Sequence, residues 1–540
     1  MELVKFCTVG LFILFFMPLQ LFAASRHSQS ELRDDLRFLA NLLEENHPDP
    51  YIRGGGKIAF HRHLHQLLAN IPPKGMSKSA FYAHISPFVA RVKDGHTKVL
   101  PINDNNLARG HLPIRLSVVS KGLYISAVAS ERLQGLIGAR LESVEKLTYS
   151  QLLKMLENIA GFDNEYHALD TLAEKLTSRR GLLSINETRF NKSCLEFSFS
   201  KDSRTLPLKL YFRTKKARTW IKAKTKSTLP AHQKSDFAYR FIDGKKDVAL
   251  LSLRSMMGYR EQFEYYRSVG SNWQSAAKRA YERHHNREAP KAAAAALPQV
   301  PAISEVFTSL ANEMKSNSTR LLVVDLRRNR GGFSLATMLF LHVFAGVEHF
   351  AAMKSGYQIN RYSKLYFENN KRIELAKLNT GRKVPLSLGD YDFSQESAFR
   401  LKSSSSQNLL ARIEKLVPTY KKLMSKAGNG PIYRPPLIVA LTSAKTYSAG
   451  FDLALAIKRL GGKLVGVPSA QAGNCFINSL SWKLPNTKLC GTLSSKFSVA
   501  FPEAKKEGRV LRPDREVTYN DLRSYAFDPN TALRIVLDEM

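Results

Sequence analysis

From Gln29 to Ala90 apolar residues recur at helical spacing, as in Leu32, Leu36, Leu39, Leu42 and Leu43. Gly54-Gly55-Gly56 and Pro72-Pro73 interrupt the run, so the pattern predicts a small domain of short helices. Between Leu112 and about Phe212 the period changes to that of strands. Ile114 to Val119, Leu123 to Val128 and Leu208 to Phe212 alternate, and Tyr149 to Ile159 between them has helical spacing, which predicts a mixed, β-rich module. From Val248 onward, short apolar runs such as Leu321 to Asp325 and Leu437 to Thr442 each lead into a helical pattern, the alternation of an α/β layer fold. The Lys/Arg-rich run Arg213 to Lys226 and the low-complexity run Ala292 to Ala296 read as solvent-facing connectors or insert edges. No internal repeat is visible.

The chain opens differently. Met1 to about Ala24 carries one Lys near its start, an apolar run Phe6 to Phe22, and then Ala23-Ala24-Ser25, which is the layout of a cleavable signal peptide. A membrane anchor is the rival reading, but Pro18 and Gln20 interrupt the run and polar residues follow at once. The mature protein is therefore expected to be exported, periplasmic or extracellular. The remaining length, about 515 residues, calls for two or three domains.

Charge and cysteines refine this picture. Lys and Arg number 81 against 46 Asp and Glu, a net charge of +35, which draws a protein toward acidic surfaces without naming one. No zinc-finger or RNA-binding signature accompanies the charge and export removes the chain from DNA, so no specific nucleic-acid partner is expected. A solvated basic surface, or attraction to an anionic envelope, accounts for it. Cys7 would leave with the leader. Cys475 and Cys490 flank a strand, a turn at Pro485-Asn486 and a second strand, so a disulfide between them is expected in an oxidising compartment, with two buried thiols as the alternative. Cys194 is then unpaired.

Two segments carry chemistry. Leu321 to Asp325, continued by Leu326-Arg327-Arg328-Asn329-Arg330-Gly331-Gly332, is a buried strand running into a glycine turn, where backbone N–H groups can face a developing oxyanion. Pro436 to Gly450 repeats the design: a strand, then Thr446-Tyr447-Ser448-Ala449-Gly450, then a helix Phe451 to Leu460. A serine between strand and helix can present its hydroxyl at the layer edge while the next N–H points at the same carbonyl oxygen. It can equally serve only as a helix N-cap.

Together these segments resemble peptidase family S41, the tail-specific or C-terminal processing proteases, in Asp325 to Gly332 and Thr446 to Ala449; Arg512-Pro513-Asp514 and the closing helix after Asp528-Pro529 agree. Asp94-Gly95-His96-Thr97 resembles the corresponding motif of the histidine-using, tricorn-core-like branch, and Pro113 to Leu147 its degenerate PDZ-like module. The resemblance implies an α/β, crotonase-like (ClpP/crotonase) spiral core with a helical N-terminal domain and a PDZ-like module. The expected boundaries are a leader at 1–24, the helical domain at 25–105, the PDZ-like module at 106–215 and the core at 216–540, with inserts near 260–300 and 350–430.

It also implies a serine endopeptidase acting on peptides or proteins, with Ser448 as nucleophile and His96 as base, meeting across a domain junction. Gly331 or Gly332 and Ala449 would hold the oxyanion. The Gly466 to Asn474 stretch lacks the lysine that the family's Ser/Lys branch places there, and Lys445 would point away from Ser448. Glu507 is the candidate for orienting His96, and Ser443 is a strand-end hydroxyl. No cofactor or metal is required; His61, His63 and His65 read as a solvated helix. The competing reading is a catalytically silent ligand-binding protein of the same fold.

Overall fold

Ser28 starts the first helix, Gln29–Asn46, with a reciprocal capping box: its hydroxyl accepts from Glu31 N, and the Glu31 carboxylate accepts from Ser28 N. The computed structural model describes residues 26–102, 109–214, 217, 219–224, 236–354, 356–371, 373–394, 406–424 and 428–540. The leader read at residues 1–24 lies outside them. Leu32, Leu36, Leu39 and Leu43 are fully buried, and the helices Gly56–Ala69 and Lys78–Ala90 close over them. This core is not self-contained. Leu480, Trp482, Leu489 and Leu493, from the long hairpin Asn474–Lys483 and Cys490–Val499, complete it. Buried Asp35 pins the hairpin tip by accepting from Asn486 N (2.8 Å), Thr487 N (2.8 Å) and Thr487 Oγ1 (2.6 Å).

The hairpin decides the fate of the cysteines. Cys475 pairs with Ser498 and Cys490 with Lys483, so the two thiols lie at opposite ends of the ladder, about 26 Å apart at the rise of a strand. A disulfide needs Cα atoms within about 7 Å. Both are free thiols, which corrects the expected bridge.

The middle unit is an antiparallel sheet in the order Ile114–Val119, Gly122–Val128, Arg140–Val144, Cys194–Lys201, Arg204–Tyr211. The helices Tyr149–Glu157, Glu165–Lys175 and Arg179–Ile185 share its core through Leu152, Leu156, Leu169, Leu172 and Leu182. The basic run after Tyr211 is more than a connector. Ile221 exchanges backbone hydrogen bonds with Val128, and the Arg115 guanidinium lies 4.2 Å from the Trp220 ring centre.

The third unit is built on six strands in the order Phe237–Phe241, Val248–Leu253, Leu321–Asp325, Leu437–Thr442, Lys463–Gly466, Arg515–Glu516. The first pairing is antiparallel and the remainder are parallel. Alternate residues serve opposite faces: Leu322 and Val324 pack with the helices Ile303–Ser316, Leu335–Phe344 and Ala449–Arg459, whereas Val323, Val439 and Leu441 pack with Thr531–Glu539. Burial on both faces explains the unbroken apolar runs in the sequence. The run Ala292 to Ala296 faces solvent at Ala292, Ala294 and Ala295, while Ala296 anchors it in a satellite core with Phe263, Trp273, Tyr281 and Leu297. No helix among the described residues is long and apolar enough to cross a membrane.

Candidate active site

Parallel pairing of Leu321–Asp325 with Leu437–Thr442, in a register that sets Asp325 opposite Leu441, delivers both chain segments to the same sheet edge. Buried Asn329 ties them together. Its Oδ1 accepts from Gly331 N (2.9 Å), its Nδ2 donates to Leu253 O (3.0 Å), and its carbonyl accepts from Tyr447 N (3.0 Å). Gly331, at φ +96°, sits where a Cβ would meet Ser448 Cβ at 2.4 Å and Tyr447 O at 2.8 Å, so only glycine fits.

Ser448 itself has φ 52° and ψ −127°, a conformation that L residues rarely adopt and that costs roughly 1–3 kcal/mol unless the surroundings impose it. It occupies the N-cap position of Ala449–Arg459, yet its side chain makes no capping bond. Its Oγ has no hydrogen bond among the described residues, while its N–H donates to Gln471 Oε1 at 2.8 Å. The strain therefore serves exposure of the hydroxyl rather than helix initiation.

His96 arrives from the N-terminal unit, on the loop between Lys78–Ala90 and the short strand Lys98–Val99, which pairs with the long hairpin. Buried Asp94 shapes this loop. Its Oδ1 accepts from His96 N (2.9 Å), and its Oδ2 meets His47 Nε2 (3.3 Å), Ser494 Oγ (2.7 Å) and Thr97 Oγ1. Burial alone would raise the Asp94 pKa; the hydrogen bond and charge of His47, with His96 and Ser494, outweigh it and hold the carboxyl well below its usual range.

The His96 ring stacks on Tyr447, centroids 5.0 Å apart, with Nδ1 at 3.1 Å from Tyr447 Oη. Tyr447 Oη donates to Asp163 Oδ2 at 2.7 Å, and Asp163 Oδ1 accepts from Gly95 N at 3.0 Å. Asp163 belongs to the middle unit, as does His167, whose ring packs on Tyr447 at 4.9 Å. Burial lowers the His167 pKa to about 4 against the opposing charge of Asp163. Asp452, one turn into the helix after Ser448, receives Ser334 Oγ at 2.8 Å. Burial raises its pKa, partly offset by the Ser334 bond and the positive charges of His96 and Lys496. Asp94, His96 and Asp163 also bring one donor atom each within 4.8 Å of one another, but both carboxylates already accept protein hydrogen bonds.

The structure thus packs the glycine turn, at Gly331, against the turn that carries Ser448 and Ala449, while the adjacent Gly332 lies against Met256, and it holds His96 on Tyr447, the residue before the serine. No hydrogen bond joins Ser448 Oγ to His96. The Gly331 N–H is engaged by Asn329, which takes it out of the expected oxyanion donors, whereas Gly332 N and Ala449 N make no hydrogen bond among the described residues. Lys445 turns away to Asp170 (2.7 Å) and Glu174 (3.4 Å), and Ser443 Oγ donates to Arg327 O at 2.6 Å. Glu507 is exposed in the short helix Lys505–Arg509. His63 is not solvated but buried, with its ring near Phe88 and its pKa lowered to about 4 by burial. Tyr447, Asp163, His167 and Gln471 were missed by sequence reasoning. Tyr447 and Gln471 lay inside inspected segments, but Asp163 and His167 carry no local signal.

A serine on a strained strand-to-helix turn, beside a glycine turn from the neighbouring parallel strand, marks an α/β protein of hydrolase type. The model of peptidase family S41 matches residues 295–481, the stretch that carries both the glycine turn and the serine turn. The chain is similar in fold to the structure of mature CPAF complexed with lactacystin, at 15% identity and a TM-score of 0.55, covering 94% of this chain and 98% of that one. A second structure of mature CPAF aligns at 14% identity and a TM-score of 0.52, over 95% and 98% of the two chains. The photosystem II D1 C-terminal processing protease aligns at 11% identity with a TM-score of 0.40, over 93% and 97%. A search of curated proteins finds no match.

Proposed function

We propose that the protein is an exported serine endopeptidase of the histidine-using branch of peptidase family S41, cleaving peptides or proteins through an acyl-enzyme on Ser448. Ser448 Oγ attacks the scissile carbonyl carbon, His96 takes the hydroxyl proton and returns it to the leaving amine, and water then releases the acyl group by the reverse sequence. Gly332 N and Ala449 N receive the oxyanion, each such donor being worth roughly 3 kcal/mol in related chemistry. The observation that carries this reading is the backbone of Ser448, at φ 52° and ψ −127° in an N-cap position whose capping bond is not made. A serine kept only to start a helix has no need of that conformation.

The mixed α/β core fits the crotonase-like architecture of that family, and the middle sheet, six-stranded with the short Leu147–Thr148 strand, fits a PDZ-like module. Export rests on the leader pattern at residues 1–24; N-terminal sequencing of protein recovered outside the cytoplasm tests it, with a start near Ser25 expected.

A silent, ligand-binding relative is the second reading, favoured by the missing hydrogen bond between Ser448 Oγ and His96. Active sites without substrate are often loose in this way. The two readings separate in one experiment: the chain without its leader is incubated with a mixed peptide library beside Ser448→Ala and His96→Ala, and products are read by mass spectrometry. Cleavage that disappears in both variants supports the peptidase. Absence of cleavage in every form, together with no fluorophosphonate labelling of Ser448, overturns it.

A further inference from the structure

We infer that Asp163, acting through Tyr447, is the positioning residue that fixes the tautomer of His96. The inference rests on the reading of His96 as the base. A phenol carries one proton, and Tyr447 gives it to Asp163 Oδ2 at 2.7 Å. The same oxygen stands 3.1 Å from His96 Nδ1 and has only a lone pair left to offer there. The imidazole proton therefore sits on Nδ1, and the basic lone pair on Nε2, the ring nitrogen that has no hydrogen bond among the described residues.

Asp94, the nearer residue in sequence, does not fill this role. Its closest approach to His96 Nδ1 is 3.9 Å, its Oδ1 is occupied by the His96 main-chain N–H, and its Oδ2 is shared by His47, Thr97 and Ser494. Glu507, the sequence candidate, is exposed. Asp163 by contrast is buried and anchored on its other oxygen by Gly95 N, so the chain from Gly95 through Asp163 and Tyr447 to His96 closes on itself.

In the proposed reaction the Ser448 O–H bond breaks as an Nε2–H bond forms. The Nδ1 proton stays in place, and neither Tyr447 nor Asp163 changes protonation. The imidazolium faces the Tyr447 oxygen and, behind it, the Asp163 carboxylate, which stabilise the charge as it appears. The three residues come from three units of the fold, so the base is competent only when the middle unit is docked.

The rate of Ser448 modification by a fluorophosphonate, followed from about pH 5 to about pH 9, tests this without a known substrate. Other titratable groups about His96 are Asp94 with its partner His47, His167, and Asp452, and all remain in each variant. Tyr447→Phe deletes one hydroxyl and keeps the stacked ring; Asp163→Asn keeps an acceptor for Gly95 N. Both are expected to slow labelling roughly 10-fold and to move the acid limb to lower pH, because the imidazolium has lost its partner. Their combination should be no slower than either alone. His96→Ala should slow labelling by roughly 100-fold or more.

If His96→Ala abolishes labelling while Tyr447→Phe keeps the native rate and the native limb, the positioning role is overturned and the base reading stands. A folded Tyr447→Phe that is slower with an unmoved limb has lost only structural support, which also overturns it. Native-rate labelling of His96→Ala, or none of the native chain, overturns the base reading and this inference with it.

Discussion

Gly331 packs so closely on Ser448 that an added Cβ would lie 2.4 Å from Ser448 Cβ, with the backbone of Tyr447 and Ala449 at 2.8 and 3.1 Å. Backbone atoms on both sides of the serine leave no flexible side chain to yield. Gly331→Ala is therefore expected to cost about 3 kcal/mol or more, from the φ of +96° and the overlap together. It should also displace the serine turn. Denaturant unfolding and fluorophosphonate labelling check the two effects; a variant as stable and as reactive as the native chain would refute the packing described.

Ser448 stores strain of its own. Ser448→Gly should be more stable than Ser448→Ala by about 1 kcal/mol, since glycine adopts φ 52° without the Cβ penalty that alanine retains. Both should be inert to the probe. Equal unfolding free energies for the two variants would mean that the turn relaxes in solution.

Cys475 and Cys490 should be alkylated separately when the protein is unfolded without reductant, giving a mass shift for each thiol. In the folded state Cys475 should resist the reagent, because burial pushes its thiol pKa up. A loss of two mass units on isolation from an oxidising compartment would contradict the hairpin register.

Stability should fall on acidification between about pH 6.5 and about pH 4. His63 and His167 have folded pKa values lowered from 6.5 to about 4 by burial, so within that window the unfolded chain binds the protons and the folded chain refuses them. Their contribution is complete above the unfolded value and is lost as pH falls through the window. Asp94, held low by His47, adds a further loss only below about pH 4. Urea midpoints against pH, for the native chain and for His63→Leu, check this; the variant should show a shallower decline.

The strands Leu321–Asp325 and Leu437–Thr442, the helix after Ser448 and the amphipathic Leu32 to Leu43 face were legible because each is a local pattern with a period of its own. The glycine turn and the serine turn were legible because each follows an apolar strand, whereas the positive φ of Ser448 emerged only with the structure. What lay beyond reach was pairing. Tyr447 meets Asp163 across 284 residues and His96 across 351, separations at which neither spacing nor composition leaves a trace. The cysteines erred for the converse reason: two strands and a turn were read correctly, but only the ladder register sets which residues lie opposite. Local pattern along the chain specified the elements and placed the nucleophile candidate between a strand and a helix. Tertiary packing alone decided which buried proton donors and acceptors must satisfy one another around His96, because that requirement is imposed by burial, and burial belongs to the whole fold.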